Sequence, residues 1–528
     1  MARKILLALL IAIAFFLLLS YRPFNAQLVA WISSFNNSYS IADSGGNNQP
    51  LMDSVKNDEN SVELLPNSIT LKFRRILKNG EYDQLNRLLD GRLEAVFKDL
   101  SKEEQLYRAY EAFEIDQEPY GSLLNDWVEK YPTNYQPYLA RGFYYSHMGW
   151  QARGGKWASE TEEEQFQKMR MFFDRSRSDL QHALALNEKA LPAYGKQIAL
   201  EMADTSSLDE MRKILRQGVA VLPASYMIRE KYILALRPRW GGSYKMMSSY
   251  ARQAEKHIEE NPKLSLLFGI LLTDIGRSYA QRDAEKAAIE SLDKALEFGD
   301  RGYAYYLKGS SYIALEQYED AIDSLNTAIS LDPEEASFYK ERSRAYQFNK
   351  QLDLAYLDLQ RSLMLDPTNT YAIRRTRYLS DDFSIRAKER KDKSLFSEAM
   401  SDVDVALRLN NSNDYAYYLR ARINMHLNNL ESSESDLKKA IYLKKDKIGY
   451  YRSLDYVLAQ SGRFEEVVEY WGQFLSAVPN NAEAYYERGG AKYHMGDYEG
   501  ALDDAIKARD LGHPSAEKAY QMVKPLVN

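Results

Sequence analysis

Residues 302–333 read GYAYYLKGSSYIALEQYEDAIDSLNTAISLDP, and the pattern in this stretch returns along the second half of the chain. With Gly302 as position 1, the fixed points are Tyr305 (4), Gly309 (8), Tyr312 (11), Tyr318 (17), Ala321 (20), Leu325 (24), Ala328 (27) and Pro333 (32). Small residues fall where two helices must approach closely, and large apolar ones fill the space between them. The proline ends the second helix. Seven such units can be laid down, starting at Gly269, Gly302, Ala336, Ser380, Asp414, Ile448 and Ala482. Position 20 is then Ala288, Ala321, Ala355, Ala399, Ser433, Val467 and Ala501, and position 8 is Gly276, Gly309, Ser343, Ala387, Ala421, Asp455 and Gly489. Successive starts lie 33, 34, 44, 34, 34 and 34 residues apart, which leaves ten extra residues between Pro367 and Leu395. A unit of this kind cannot bury its apolar face alone, so the units must stack.

The pattern resembles the tetratricopeptide repeat, a helix–turn–helix unit of 34 residues. The resemblance implies an all-α chain whose residues 266–515 form an α-solenoid, with 516–528 as a tail or capping helix. Its units would be 269–301, 302–335, 336–369, 380–413, 414–447, 448–481 and 482–515. It also implies that positions 5, 9 and 12 of each first helix face the concave side. Three positions in seven units make 21, of which seven are basic (Arg277, Lys340, Arg344, Lys388, Lys391, Arg422 and Arg452) and none is acidic. Five more are tyrosines: Tyr306, Tyr418, Tyr456, Tyr486 and Tyr493. In a chain of net charge -6 this is a one-sided set. The expectation is a groove for an acidic, extended protein segment, with Arg pairing carboxylates and Tyr supplying contact area. The Asn at position 9 of repeats that clamp a C-terminal carboxylate is missing, so that mode is not expected.

The chain opens MARKILLALLIAIAFFLLLSYR, where Arg3 and Lys4 precede an apolar run from Ile5 to Leu19. Residues 1–22 read as an uncleaved signal anchor or transmembrane helix, with the basic end in the cytoplasm and the rest of the chain periplasmic. The alternative is a cleaved signal peptide and a secreted or periplasmic protein. Residues 23–66 are rich in Asn, Ser, Gly and Asp and read as a flexible tether. Residues 67–265 are helical by periodicity. Ser68 is placed to cap a helix that runs to Lys78, with Gly80 as its stop. In NYQPYLARGFYYSHMGW, Tyr138, Gly142 and Tyr145 repeat positions 4, 8 and 11, with SDLQHALALN as a delayed partner helix. Two segments here are not generic: Trp150-Gln151-Ala152-Arg153-Gly154 and Leu236-Arg237-Pro238-Arg239-Trp240-Gly241-Gly242-Ser243. On this helical background they resemble an uncharacterised bacterial domain family over about residues 70–260, which implies a helical fold and no assigned activity.

Few features point to chemistry. Cysteine is absent, which removes disulfides, thiolate metal ligands and thiol nucleophiles. The six histidines show no metal or triad spacing, so no metal and no cofactor are expected. The acidic balance argues against nucleic acid as a partner. Around Trp240 two readings stand: a tight glycine turn plugged by the indole, or an anion pocket in which Arg153, Arg237 or Arg239 holds the ligand. The functional expectation is a membrane-anchored scaffold for protein–protein interaction, not an enzyme. The alternative is an envelope enzyme or polysaccharide-binding protein with its site in 67–265.

Overall fold

The structure, a computed structural model, describes residues 68–117, 119–154 and 160–527. The expected anchor (1–22) and tether (23–66) lie outside the described residues. Within them all 25 regular elements longer than a single turn of 3-10 helix are α-helices, and no helix is long and apolar enough to cross a membrane.

The N-terminal domain opens with α1 (Ile69–Lys78), α2 (Tyr82–Lys98), α3 (Glu103–Glu111) and α4 (Tyr120–Lys130). Ser68 caps α1 by accepting from Leu71 N at 3.1 Å, and Gly80 follows the helix with φ +69°. The next helices form hairpins: α5 (Tyr135–Arg153) with α6 (Glu163–Leu186), then α7 (Leu191–Asp204) with α8 (Leu208–Val221). The partner of α5 starts fifteen residues before SDLQHALALN, because Glu162 and Gln165 form a capping box that opens the helix early. Helices α9 (Tyr226–Ala235) and α10 (Tyr244–Ala254) lead into the repeats.

The repeats are α11 (Leu266–Ala280) with α12 (Glu285–Leu296), α13 (Gly302–Ala314) with α14 (Tyr318–Leu331), α15 (Ala336–Phe348) with α16 (Leu352–Leu365), and α17 (Thr370–Asp392) with α18 (Phe396–Leu409). They continue as α19 (Asp414–His426) with α20 (Leu430–Leu443), α21 (Ile448–Ala459) with α22 (Phe464–Ala477), and α23 (Ala482–Met495) with α24 (Tyr498–Asp510). A short α25 (Ala516–Val523) packs on α24. Each second helix packs on its own partner and on the first helix of the next unit, which is how a solenoid buries its stripe.

Sequence positions map onto contacts. A Cβ on Gly309 would lie 2.6 Å from Leu325 Cγ and 3.2 Å from the Ala321 carbonyl, so position 8 is glycine where position 24 is a leucine pressed against it. The sixth unit solves the same contact differently. Its position 8 is Asp455 and its position 24 is Trp471, whose Nε1 donates to Asp455 Oδ2 at 2.8 Å. The ten extra residues are helix, not loop: they extend α17 to 23 residues.

Candidate functional site

The first helices α15, α17, α19, α21 and α23 carry most of the residues expected to line a groove. At position 5 each of several side chains reaches the next first helix. Tyr306 stacks on Phe338 with centroids 5.4 Å apart, Lys340 sits over Tyr371 at 5.7 Å, and Tyr418 lies 4.8 Å from Tyr450. Arg452 pairs with Glu483 of the following unit. Position 5 is thus an inter-repeat contact as well as a surface. At position 9, Arg344 pairs with the buried Glu341 at 2.8 Å, and Arg422 donates to the Tyr418 hydroxyl at 2.9 Å. Lys388 lies 3.1 Å from Asp392, the carboxylate that Lys391 also binds, at 2.5 Å. Tyr486 stacks on His513 at 4.2 Å, Arg277 is half-buried on α11, and Tyr456 is exposed. The counter-ions Glu341 and Asp392 come from positions 6 and 13, outside the three positions read as the concave face, and Glu483 comes from position 2, where it and Asp381 are expected from the sequence to dilute the basic charge. Of the expected cations on α15, α17 and α19, Lys388 is exposed, and Lys340 and Arg422 are half-buried.

A second set of charges was missed. Arg342 grips Asp358 through Nε (2.6 Å) and Nη2 (2.8 Å), and Arg386–Asp402, Arg420–Asp436 and Arg488–Asp504 repeat the same fork in other units. All four are positions 7 and 23, sixteen residues apart. Arg141–Asp179 reproduces it in the α5–α6 hairpin, where Ser176 also donates to the Gly142 carbonyl at 2.6 Å. That hairpin is therefore built like a repeat with a longer turn. The signal was present in the sequence as an Arg–Asp pair at constant spacing. It is hard to see there because a carboxylate on a helix suits a solvated face equally well, whereas Asp358 is 1% exposed.

The N-terminal domain holds the superhelix at its second and third units. The loop joining α14 to α15 offers Glu334, whose carboxylate accepts from Ser68 Oγ (3.1 Å), Thr70 N (2.7 Å) and Ile69 N at the start of α1. Arg108 of α3 binds Asp332 at 2.5 Å, and Arg74 of α1 donates to the carbonyls of Leu365 and Ala112, both at 2.8 Å. Burial pushes the Asp332 carboxyl up to about 6, against the pull of Arg108. Helix α3 also packs on α5, α7 and α9, three alternate helices of its own domain. Between the domains, Arg301, just ahead of α13, binds Glu230 of α9 at 2.7 Å. Burial opposes ionisation of Glu230, yet Arg301 and Lys231 hold it down to about 2.

The two tryptophan segments are structural neighbours of separate helices. Trp150 packs edge-on against Phe173 at 5.8 Å, and Arg153 lies over Trp150 at 5.9 Å and Phe166 at 5.8 Å. In the other segment Gly241 is left-handed at φ +85°. Gly242 is required for a different reason: a Cβ there would lie 2.1 Å from the Leu236 carbonyl oxygen. Trp240 is half-buried with Arg239 over its ring at 5.9 Å, and Arg237 is buried against Asp274 at 3.2 Å. The Tyr244 hydroxyl donates to the same carboxylate at 3.3 Å. The four residues expected to share an anion pocket are thus each engaged locally. Among the described residues no cluster of His and carboxylates is arranged to hold a metal.

Comparison with known proteins follows the same division. A domain of unknown function (DUF4034) matches residues 70–202, a span that includes Trp150 and Arg153 but not the 236–243 segment. Tetratricopeptide repeat models match residues 302–335, 414–447 and 456–511. The TPR repeat-containing protein MJ1428 of Methanocaldococcus jannaschii is 24% identical over 233 residues, 42% of this chain and 38% of that protein. Protein PHOX1 of Arabidopsis thaliana is 26% identical over 138 residues, 25% of this chain and 18% of that protein. The chain thus spans well under half the length of either. Among solved structures, YrrB, described as a TPR protein with an unusual peptide-binding site, is 21% identical with a TM-score of 0.27, covering 38% of this chain and 99% of its own. A tetratricopeptide repeat protein from Parabacteroides merdae is 17% identical with a TM-score of 0.24, covering 49% and 99%.

Proposed function

We propose that this chain, a tetratricopeptide-repeat protein, is a scaffold that binds a protein segment along the first helices α15, α17 and α19 and is held at a membrane by its N-terminus. The observation that carries the reading is the row of Lys340, Lys388 and Arg422, with Tyr418 beside it, on three consecutive first helices. Three cations at helix-to-helix spacing suit an extended acidic segment, since each can meet a carboxylate without leaving its own helix. Arg344 is held by the buried Glu341 and is left out of the row, whereas Lys388 pairs with Asp392, whose side chain is 47% exposed and can be exchanged for a partner's carboxylate.

Membrane anchoring rests on Arg3 and Lys4 ahead of the apolar run from Ile5 to Leu19. Confinement to a surface raises the effective concentration toward membrane-bound partners. An alkaline phosphatase fused after residue 60 should then be active and pellet with membranes. Soluble protein starting at residue 21 or 27 sinks the anchor.

The scaffold is tested by Lys388→Glu combined with Arg422→Glu. Quantitative mass spectrometry after crosslinked affinity capture should show a discrete set of proteins, retained by the wild type and lost by the folded double variant. That loss should be matched by raising salt, which screens groove charges. An identical set for both chains rejects this face as the binding surface.

A further inference from the structure

Helix α1 grips the superhelix at both ends of one unit. Glu334 stands in the loop that enters α15, and its carboxylate accepts from Ser68 Oγ, Ile69 N and Thr70 N. Little more than a turn along α1, the buried Arg74 donates through Nη1 to the carbonyl of Leu365, the last residue of α16. The third unit is therefore bracketed. Its entrance supplies the anion that caps α1, and its exit supplies a helix-end carbonyl that α1 caps in return. Two further ties flank the bracket. Arg108 of α3 binds Asp332 at 2.5 Å, just ahead of Glu334, and Gln151 of α5 donates to Thr368 Oγ1 at 3.3 Å, just beyond Leu365. On its other side α1 is seated in its own domain, where Phe73, Ile76 and Leu77 are buried and Arg74 Nε donates to the Ala112 carbonyl at 2.8 Å. One guanidinium thus bridges the two domains.

The N-terminal domain is joined to the superhelix twice. One joint is the chain itself, where α10 leads into α11 and where Arg301 binds Glu230 and Asp274 binds Arg237. The other joint is the bracket around the third unit. Units 1 to 3 lie between the joints and close a ring with the N-terminal domain. A solenoid changes pitch by small rotations at each interface between units. In an open stack these rotations are free of one another; in a ring, turning unit 1 against unit 2, or unit 2 against unit 3, has to break a joint. Among the described residues the ties run as far as Thr368, so the ring ends where α17 begins.

We propose that α1 is a strap that locks the pitch of units 1 to 3 and places the hinge of the superhelix at α17, leaving units 4 to 7 to flex. The proposal goes beyond the scaffold reading and holds whichever partner binds. For any partner along the first helices, α15 then belongs to a fixed half, and α17 and α19 to an adjustable one.

Spin labels measure the difference, and the lack of native cysteine keeps the labelling specific. One pair, Lys286→Cys with Leu354→Cys, spans units 1 to 3 at exposed positions of α12 and α16. The other, Glu431→Cys with Glu499→Cys, spans units 5 to 7 at exposed positions of α20 and α24. Double electron–electron resonance on the full chain should give a distance distribution about twofold narrower for the first pair. Adding Asp332→Asn with Glu334→Gln loosens the strap. Exchange of the α1 amides should then rise about tenfold, the first distribution should widen to match the second, and the second should not change. Equal widths for the two pairs with the strap intact overturn the proposal, and this comparison stands by itself if the loop variant fails to fold. A first distribution that stays narrow once α1 exchanges freely also overturns it, because the stack alone would set the pitch. So does unchanged α1 exchange in the folded loop variant, because Asp332 and Glu334 would not be what holds the strap.

Discussion

A left-handed residue closes every hairpin of the superhelix. Asp283, Glu316, Lys350, Ser394, Asn428, Gly462 and Gly496 all have φ between 56° and 81°, and all are position 15 of their unit. Only two are glycine, the residue for which this region carries no Cβ penalty. Lys350→Gly and Glu316→Gly should therefore each stabilise their unit by about 0.5–1 kcal/mol, read as a rise in the urea midpoint. The recurring Arg–Asp fork is the opposite case, a polar contact that cannot be spared. Asp358 is 1% exposed and accepts from both Arg342 and Arg361. Asp358→Asn turns one acceptor into a donor facing two guanidinium groups. It should cost about 3–5 kcal/mol, toward the lower end because the arginines keep some solvent. If melting of Asp358→Asn matches the wild type, the fork is ornamental.

At the scale of a helix pair, close approach decides which glycines can be replaced. Gly309→Ala in α13 drives a methyl to 2.6 Å from Leu325 Cγ, so α13 and α14 must separate or Leu325 must leave its rotamer, at about 1–3 kcal/mol. Gly490 is one position further round the helix in its unit, on α23, and a Cβ there meets nothing within 4 Å. Gly490→Ala should stabilise α23 by about 0.5–1 kcal/mol through helix propensity alone. Opposite signs for these two changes in denaturant titration are expected; equal signs would show that the helix contact is placed wrongly. The same logic explains α17. Its ten additional residues keep helical periodicity, with Ala372, Thr376 and Leu379 buried. Read against a fixed repeat length they looked like an insertion between units.

For the molecule as a whole, the ion pair Glu230–Arg301 ties the N-terminal domain to the first helices of the superhelix. Glu230 titrates at about 2 in the folded chain instead of 4.5. A depressed carboxylate contributes stability that is present above pH 4.5 and is lost as pH falls toward 2. The domain junction should therefore melt at progressively lower temperature on acidification from pH 5 to pH 2. Glu230→Gln should remove about 3–5 kcal/mol at pH 7, leave Arg301 buried without its partner, and flatten that acid dependence. A variant with the same acid profile as the wild type would place the sensitivity elsewhere.

The periodicity of residues 302–333, repeated with small residues at positions 8 and 20, determined the all-helical solenoid and its register, because each unit is a local structure whose contacts lie within itself and its neighbours. The cap at Ser68 and the turn at Gly241 were legible for the same reason: both are satisfied by atoms a few residues away. What only the tertiary structure decided depends on contacts between distant parts. Glu334 receives the N-terminus of α1 across more than 260 residues, Glu341 and Asp392 neutralise cations that looked free when positions 5, 9 and 12 were read alone, and Arg237 is consumed by Asp274. Side-chain charge is visible in a sequence, but its partner is set by which helix packs against which. An exposed stripe on α17 belongs to the same class: only the finished stack of helices shows that Tyr371, Tyr378 and Ile385 are left uncovered.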